Sequence, residues 1–149
     1  SFVVKDQNGC LKTIDYSVNS PDEIIPSLSV NNEIDCYGTN QGALIASVQG
    51  GIPNYTYSLA SNFDTVYVNS SEFSVLFNNL ISGFYVLNVE DGNGCTNTLG
   101  MSSQIVVSQP DPISYTVDIN SPNCNASNNG SLIISNISGG TSPYSLTFY

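Results

Sequence analysis

The chain has 149 residues, 40% of them hydrophobic, yet only 9% are charged and the formal net charge is −10. Its two cations, Lys5 and Lys12, face 12 acidic residues. That balance excludes nucleic acid, which needs clustered positive charge to displace counterions, and argues against docking on anionic lipid.

A core can form, but charge lies far below the quarter usual in soluble domains, so Ser, Thr and Asn must supply the polar surface. Such a composition suits an extracellular β-repeat. The chain opens on Ser1-Phe2-Val3-Val4, which reads as the inside of a strand, and its one Met is Met101. It is expected to be a piece of something longer, with targeting segments elsewhere. No apolar run approaches the 18 or so residues that span a membrane.

Segments with two-residue alternation then follow, separated by turn residues. Leu28 and Val30 begin a first strand, and Ala43–Val48 forms a second. Tyr55, Tyr57 and Leu59 alternate with Thr56 and Ser58, and Val66–Val68 is a weaker candidate. Phe73, Val75 and Phe77 form the next stripe, then Tyr85, Leu87 and Val89, with Ile105 and Val107 closing the unit. No window carries a helical stripe with caps. Gly50-Gly51 followed by Pro53 breaks the chain between the second and third strands. Asn93-Gly94 reads as a hairpin turn in which both residues take positive φ. Ser108-Gln109-Pro110-Asp111-Pro112 reads as a short stiff junction, because proline fixes φ and has no N–H to donate.

The most informative pattern is internal repetition. Asp6-Gln7-Asn8-Gly9-Cys10 recurs as Asp91-Gly92-Asn93-Gly94-Cys95, and Pro21-Asp22 recurs as Pro110-Asp111. Cys36 and Gly42 recur as Cys124 and Gly130, and Gly50-Gly51…Pro53-Asn54-Tyr55 as Gly139-Gly140…Pro143-Tyr144. Val117 and Ile119 echo Leu28 and Val30, Leu132-Ile133-Ile134 echoes the second strand, and Tyr144, Leu146 and Phe148 echo the third. The expected fold is all-β, tandem Ig-like β-sandwich domains of about 88 residues each, a length that suits a small sandwich. The expected partition is 1–22 as the C-terminal part of one repeat, 23–111 as a complete repeat, and 112–149 as the N-terminal part of the next.

In order and spacing these anchors resemble the repeats of SprB-type gliding-motility adhesins of Bacteroidota. The residues that carry the resemblance are Cys36, Gly42, Gly50-Gly51, Pro53, Tyr55, Asn79-Leu80, Gly83, Tyr85, Val89, Asp91-x-Asn93-Gly94-Cys95 and Gln109-Pro110. Leu59 departs from it, standing where such repeats often carry an aromatic, although Phe148 keeps one in the next repeat. The resemblance implies very large surface proteins, exported by the type IX system, that form filaments and adhere to surfaces. It implies an extracellular, cell-surface location and a stalk or filament role in attachment and gliding. The partners would be neighbouring repeats of the same chain, with a surface polysaccharide as the candidate external one. The alternative is an Ig-like spacer or carbohydrate-binding module of a secreted glycan-degrading enzyme.

Chemistry-bearing residues are few. His is absent, which removes the commonest general base and zinc ligand, and no nucleophile–base or paired-carboxylate constellation stands out. No enzymatic activity, cofactor or metal site is expected. Asp91-Gly92-Asn93-Gly94 resembles the opening of a calcium loop but lacks its remaining ligands, and reads as a tight turn. Calcium shared at a junction by Asp22, Glu23 or Asp111 stays open. Tyr55, Tyr57 and Tyr85 fall on strand stripes and are expected in the core, leaving Tyr37 and Tyr67 for the surface. Asp64-Thr65-Val66 matches a short pattern that, by the family resemblance, marks Thr65 for O-glycosylation. The Asn-x-Ser/Thr triplets at Asn54, Asn69, Asn125 and Asn136 are chance matches in so Asn- and Ser-rich a chain.

Cys10, Cys36, Cys95 and Cys124 are the disulfide candidates, two per repeat, since an extracellular compartment is oxidising. In an Ig-like sandwich, Cys36 would follow the first strand and Cys95 would lie in the hairpin joining the last two, at opposite ends. Strands of about six residues separate those ends by roughly 20 Å. A disulfide tolerates Cα separations of only about 7 Å. The expectation is therefore that Cys36 bonds the hairpin cysteine of the following repeat, and Cys95 the first-loop cysteine of the preceding one.

Overall fold

A computed structural model describes residues 1–97, 103–125 and 127–148. Every element in it is a β-strand. Seven form a sandwich: β3 (Ile25–Asn32), β4 (Gly42–Gln49), β5 (Tyr55–Ser61), β6 (Thr65–Ser70), β7 (Ser74–Leu80), β8 (Gly83–Glu90) and β9 (Ser103–Val107). One sheet has the order β3-β4-β7 and the other β6-β5-β8-β9, each pairing antiparallel. Two separate hairpins flank it, β1 (Phe2–Lys5) with β2 (Leu11–Ile14), and β10 (Ser114–Asn120) with β11 (Ser131–Ser138).

Alternation decides which side chains enter the core. Leu44, Ala46 and Val48 of β4 face Tyr55, Tyr57 and Leu59 of β5 and Tyr85, Leu87 and Val89 of β8, all buried in one cluster. Phe77, Leu80 and Val107 complete it, and Ile24 and Ile34 plug it from just outside β3. Each buried tyrosine satisfies its hydroxyl, which an apolar core requires. Tyr55 donates to the Gly50 carbonyl (2.9 Å), Tyr57 to that of Glu72 (2.8 Å) and Tyr85 to that of Ile81 (2.9 Å). The Tyr85 bond, running back four residues across the β7–β8 corner, has the form of the tyrosine corner of Ig-like sandwiches. Burial pushes the Tyr57 hydroxyl up to about 12, with Tyr55 and Glu72 adding to it.

Three details differ from the sequence expectations. Phe73 precedes β7 and is 57% exposed, because its ring tilts against Tyr55 from the rim, 5.7 Å between centroids, instead of entering the core. Val66–Val68 belongs to a full six-residue edge strand, β6, held by β5 along its length. Tyr144, Leu146 and Phe148 are not in a strand. A ladder needs neighbours: β5, the segment they echo, is held between β6 and β8, and no strand pairs with 144–148 among the described residues.

The strand directions define two poles. β3 begins at a proximal pole, where the β4–β5 loop (50–54), the β6–β7 loop and the segment after β8 also lie. β9 ends at the distal pole, beside the β3–β4 loop (33–41) and the β7–β8 corner. β3 and β9 run side by side in the same direction, and the Leu28 N–H donates to Ser103 Oγ (2.8 Å). The chain therefore arrives at one pole and departs at the other.

Candidate functional site

The proximal pole is organised around one carboxylate. Asp91, 5% exposed, follows β8 directly. Its Oδ1 accepts the N–H groups of Asn93 (2.9 Å) and Cys95 (2.9 Å), and its Oδ2 accepts that of Ile52 (3.0 Å) in the neighbouring loop. The Gly92 N–H returns a bond to the Ile52 carbonyl (3.0 Å), and the Gly94 N–H donates to the Asp91 carbonyl (2.9 Å). Gly94 takes φ +78° but Asn93 does not take positive φ, so the expected pair of left-handed residues is corrected. The Asp91 side chain, not an Asn-Gly pair, shapes this turn by standing in for backbone acceptors. The turn is also not the whole link to β9. It closes a small hairpin in which the Asn97 N–H donates to the Val89 carbonyl (3.2 Å) and the Val89 N–H to Asn97 Oδ1 (2.8 Å).

The N–H donors, that of Cys95 foremost, hold the Asp91 carboxyl below the ordinary carboxylate range. A carboxyl so lowered in the fold adds stability that is present above its unfolded value, near 3.9, and lost as pH falls through the folded one. Melting curves of the chain between about pH 6 and pH 2.5 therefore show Asp91→Asn well below wild type at the upper end and closer to it at the lower. A gap constant with pH would contradict this role.

A calcium role for the turn does not follow from its geometry. Both Asp91 oxygens are engaged by backbone donors, and no group of three or more His, Cys, Asp or Glu residues gathers to hold a metal among the described residues. At the junctions, Asp22 and Asp111 use their carbonyls, which accept from Gly51 (2.9 Å) and Gly140 (2.7 Å).

The sequence repeats recur as hydrogen-bonded structures. The Asp6 turn reproduces the Asp91 turn: Oδ1 accepts from Asn8 (2.9 Å) and Cys10 (2.8 Å), and the Asp6 carbonyl accepts from Gly9 (3.1 Å). Cys124 accepts from Ser127 through backbone N–H and hydroxyl, as Cys36 does from Thr39. Gly139 and Gly140 take φ +74° and +59°, as Gly50 and Gly51 take +76° and +68°. The Tyr144 hydroxyl donates to Gly139 as that of Tyr55 does to Gly50. An apolar groove lined by Ile113, Val117, Leu132, Ile134, Tyr144 and Leu146 sits on the β10–β11 hairpin. Its walls are the counterparts of residues in the core of the seven-stranded unit or packed against it, so it has the composition of an open core.

The remaining candidates are dispersed. Cys10, Cys36, Cys95 and Cys124 are free and exposed. Cys36 lies in the distal loop, which Gln109 Oε1 closes by accepting the Gly38 N–H (2.9 Å), and Cys95 lies at the proximal pole. Thr65 opens β6 half-buried, its N–H bonded to Asp64 Oδ1 (2.7 Å). Tyr55, Tyr57 and Tyr85 are buried, while Tyr37 (57%) and Tyr67 (68%) are exposed. The Asp91 hub was missed by sequence reasoning, although an Asp opening both Asp-x-Asn-Gly-Cys turns was its signal.

Residues 29–62 match the family model of the SprB repeat. The SprB-type repeat anticipated from the spacing is thus present in this segment, which spans β3, β4 and β5. That family is a structural repeat, not an enzyme family, and occurs in surface-exposed proteins, which points to a cell-surface adhesin-type protein. No curated protein and no solved structure matches the chain.

Proposed function

We propose that the chain is a stalk or filament segment of a large secreted cell-surface adhesin, serving surface attachment and gliding, and that it works mechanically. In this reading 23–111 is a complete unit, 1–22 ends the preceding one and 112–149 opens the next. The observation that carries it is the recurrence, about 88 residues apart, of the same hydrogen-bonded turns and glycine pair beside a seven-stranded unit. The SprB match supports the surface assignment.

The polar geometry suits load. A unit entered at one pole and left at the other is strung end to end with its neighbours. Tension then pulls β3 and β9 in opposite directions along their length. Ladder bonds lie across the strands, so they are sheared together and not unzipped singly.

The test is electron microscopy of cells labelled with an antibody raised against residues 23–111. Label spaced along filaments projecting from the surface, with attachment and gliding lost on deletion of the gene, is the expected result. Label confined to a soluble secreted glycan hydrolase, with gliding intact in the deletion strain, would overturn the proposal in favour of a spacer module.

A further inference from the structure

We infer that Cys36 forms one half of a disulfide across the junction between successive units, its partner being the cysteine of the following unit's Asp-x-Asn-Gly-Cys turn. The inference rests on the tandem reading above and adds the covalent link that would fix each junction.

Three observations lead to it. The first excludes pairing within one unit. Cys36 lies at the distal pole and Cys95 at the proximal one, with strands of eight and seven residues between them. That length separates them by roughly 20 Å or more, against the 7 Å or so that a disulfide spans between Cα atoms.

The second observation is where the cysteine turn sits. Within the seven-stranded unit it rests on the segment after the glycine pair. Ile52 donates to Asp91 Oδ2 and accepts from Gly92, and a Cβ added to Gly51 would stand 3.2 Å from Asp91 Cβ. The Gly50-Gly51-Ile52 segment is thus the seat of its own unit's cysteine turn.

The third places the next seat against Cys36. The counterparts of Gly51 and Ile52 are Gly140 and Thr141. Those two residues line one cavity with Asp35, Cys36 and Tyr37, across the Asp111–Ile113 link. A turn seated on Gly140–Thr141 as the Asp91 turn is seated on Gly51–Ile52 brings its cysteine to Cys36. By the same translation, Cys95 meets the first-loop cysteine of the preceding unit, and Cys10 and Cys124 repeat the pattern outward.

The chemistry balances through thiol–disulfide exchange with an external disulfide oxidant, either an oxidoreductase or a small-molecule disulfide. One thiolate of the pair attacks the oxidant's disulfide, breaking its S–S bond and forming a mixed disulfide. The second thiolate displaces the oxidant's remaining sulfur. One protein S–S bond forms, and the two protons and two electrons of the protein thiols pass to the oxidant, which leaves as a reduced dithiol if it is an oxidoreductase or as two thiols if it is a linear small-molecule disulfide.

The test uses the intact secreted protein, alkylated without reduction, digested at acid pH to suppress exchange, and mapped by mass spectrometry before and after reduction. The expected result is a Cys36 peptide linked to a second Asp-x-Asn-Gly-Cys peptide, and a Cys95 peptide linked to a first-loop cysteine peptide. In the Cys36→Ser protein the turn cysteine of the following unit becomes alkylatable. Alkylated Cys36, a Cys36–Cys95 link, or Cys36 joined to another chain overturns the clamp. If further Asp-x-Asn-Gly-Cys peptides are present while Cys36 is alkylated, the clamp alone fails and the tandem reading stands. If the intact protein holds no further such turns, both fail.

Discussion

Leu87→Ala lowers the stability of the chain by about 2–5 kcal/mol, whereas Leu76→Ala changes it by less than about 1 kcal/mol. Leu87 is fully buried at the middle of β8, in the sheet that supplies Tyr57 and Leu59 to the same cluster. Removing its branched end forfeits the transfer energy of those atoms and leaves a cavity that the rigid ladders on both sides of β8 cannot collapse. Leu76 lies on β7 pointing outward and is 48% exposed, so truncation removes little burial. Urea titrations read the contrast as a shift in midpoint at constant slope. Equal shifts for the two variants would mean that the sandwich does not bury the face assigned to its core.

The second large effect is at the glycine pair. Gly50→Ala places a Cβ 2.0 Å from the Glu23 carbonyl oxygen and 2.8 Å from its carbon, both of them backbone atoms that cannot swing aside. Its φ of +76° adds the cost of a left-handed L-residue, about 1–2 kcal/mol. Gly38→Ala separates the two contributions, because Gly38 has φ +74° but nothing within 4 Å of an added Cβ. Thermal melts therefore show Gly50→Ala losing clearly more stability than Gly38→Ala. If the two melt alike, the close approach of the 50–54 loop to the start of β3 is not what the glycine serves. The same approach recurs at Gly139, whose added Cβ would meet the Pro112 carbonyl oxygen at 2.1 Å.

Much of this was legible beforehand, and the reasons are physical. Strands with one face in the core carry strict alternation, so Tyr55–Leu59 and Tyr85–Val89 announce both element and buried face. β6 announced itself weakly because an edge strand exposes apolar Val66 and Tyr67 as readily as polar Asn69, leaving no inside-outside contrast. Its membership of the β5–β8–β9 sheet was not legible at all, since alternation says nothing of which neighbour a strand pairs with. Phe73 looked like core because it extends the period of Val75 and Phe77, but the period runs on to the rim of the sandwich, where the Phe73 carbonyl still accepts the Val48 N–H while its ring stays 57% exposed. At the proximal pole, Asn93-Gly94 drew attention as a dipeptide while the shaping group was the carboxylate two residues earlier.

The cysteine positions show what repetition adds. Spacing alone sets Cys36 and Cys95 in one repeat and invites a bond between them. The strand directions put them at opposite poles, and the counterpart of the Cys95 seat, Gly140–Thr141, lines one cavity with Cys36.

Amide hydrogen exchange across residues 1–149 tests the central claim most directly, because a complete sandwich and two partial ones must differ in local stability. The account predicts slow exchange concentrated in β4, β5 and β8, and fast exchange throughout β1–β2 and β10–β11, whose apolar faces are open. Protection across β10–β11 equal to that of β5 would show that residues 112–148 complete a core of their own, and would contradict the partition of the chain into one whole unit and two parts.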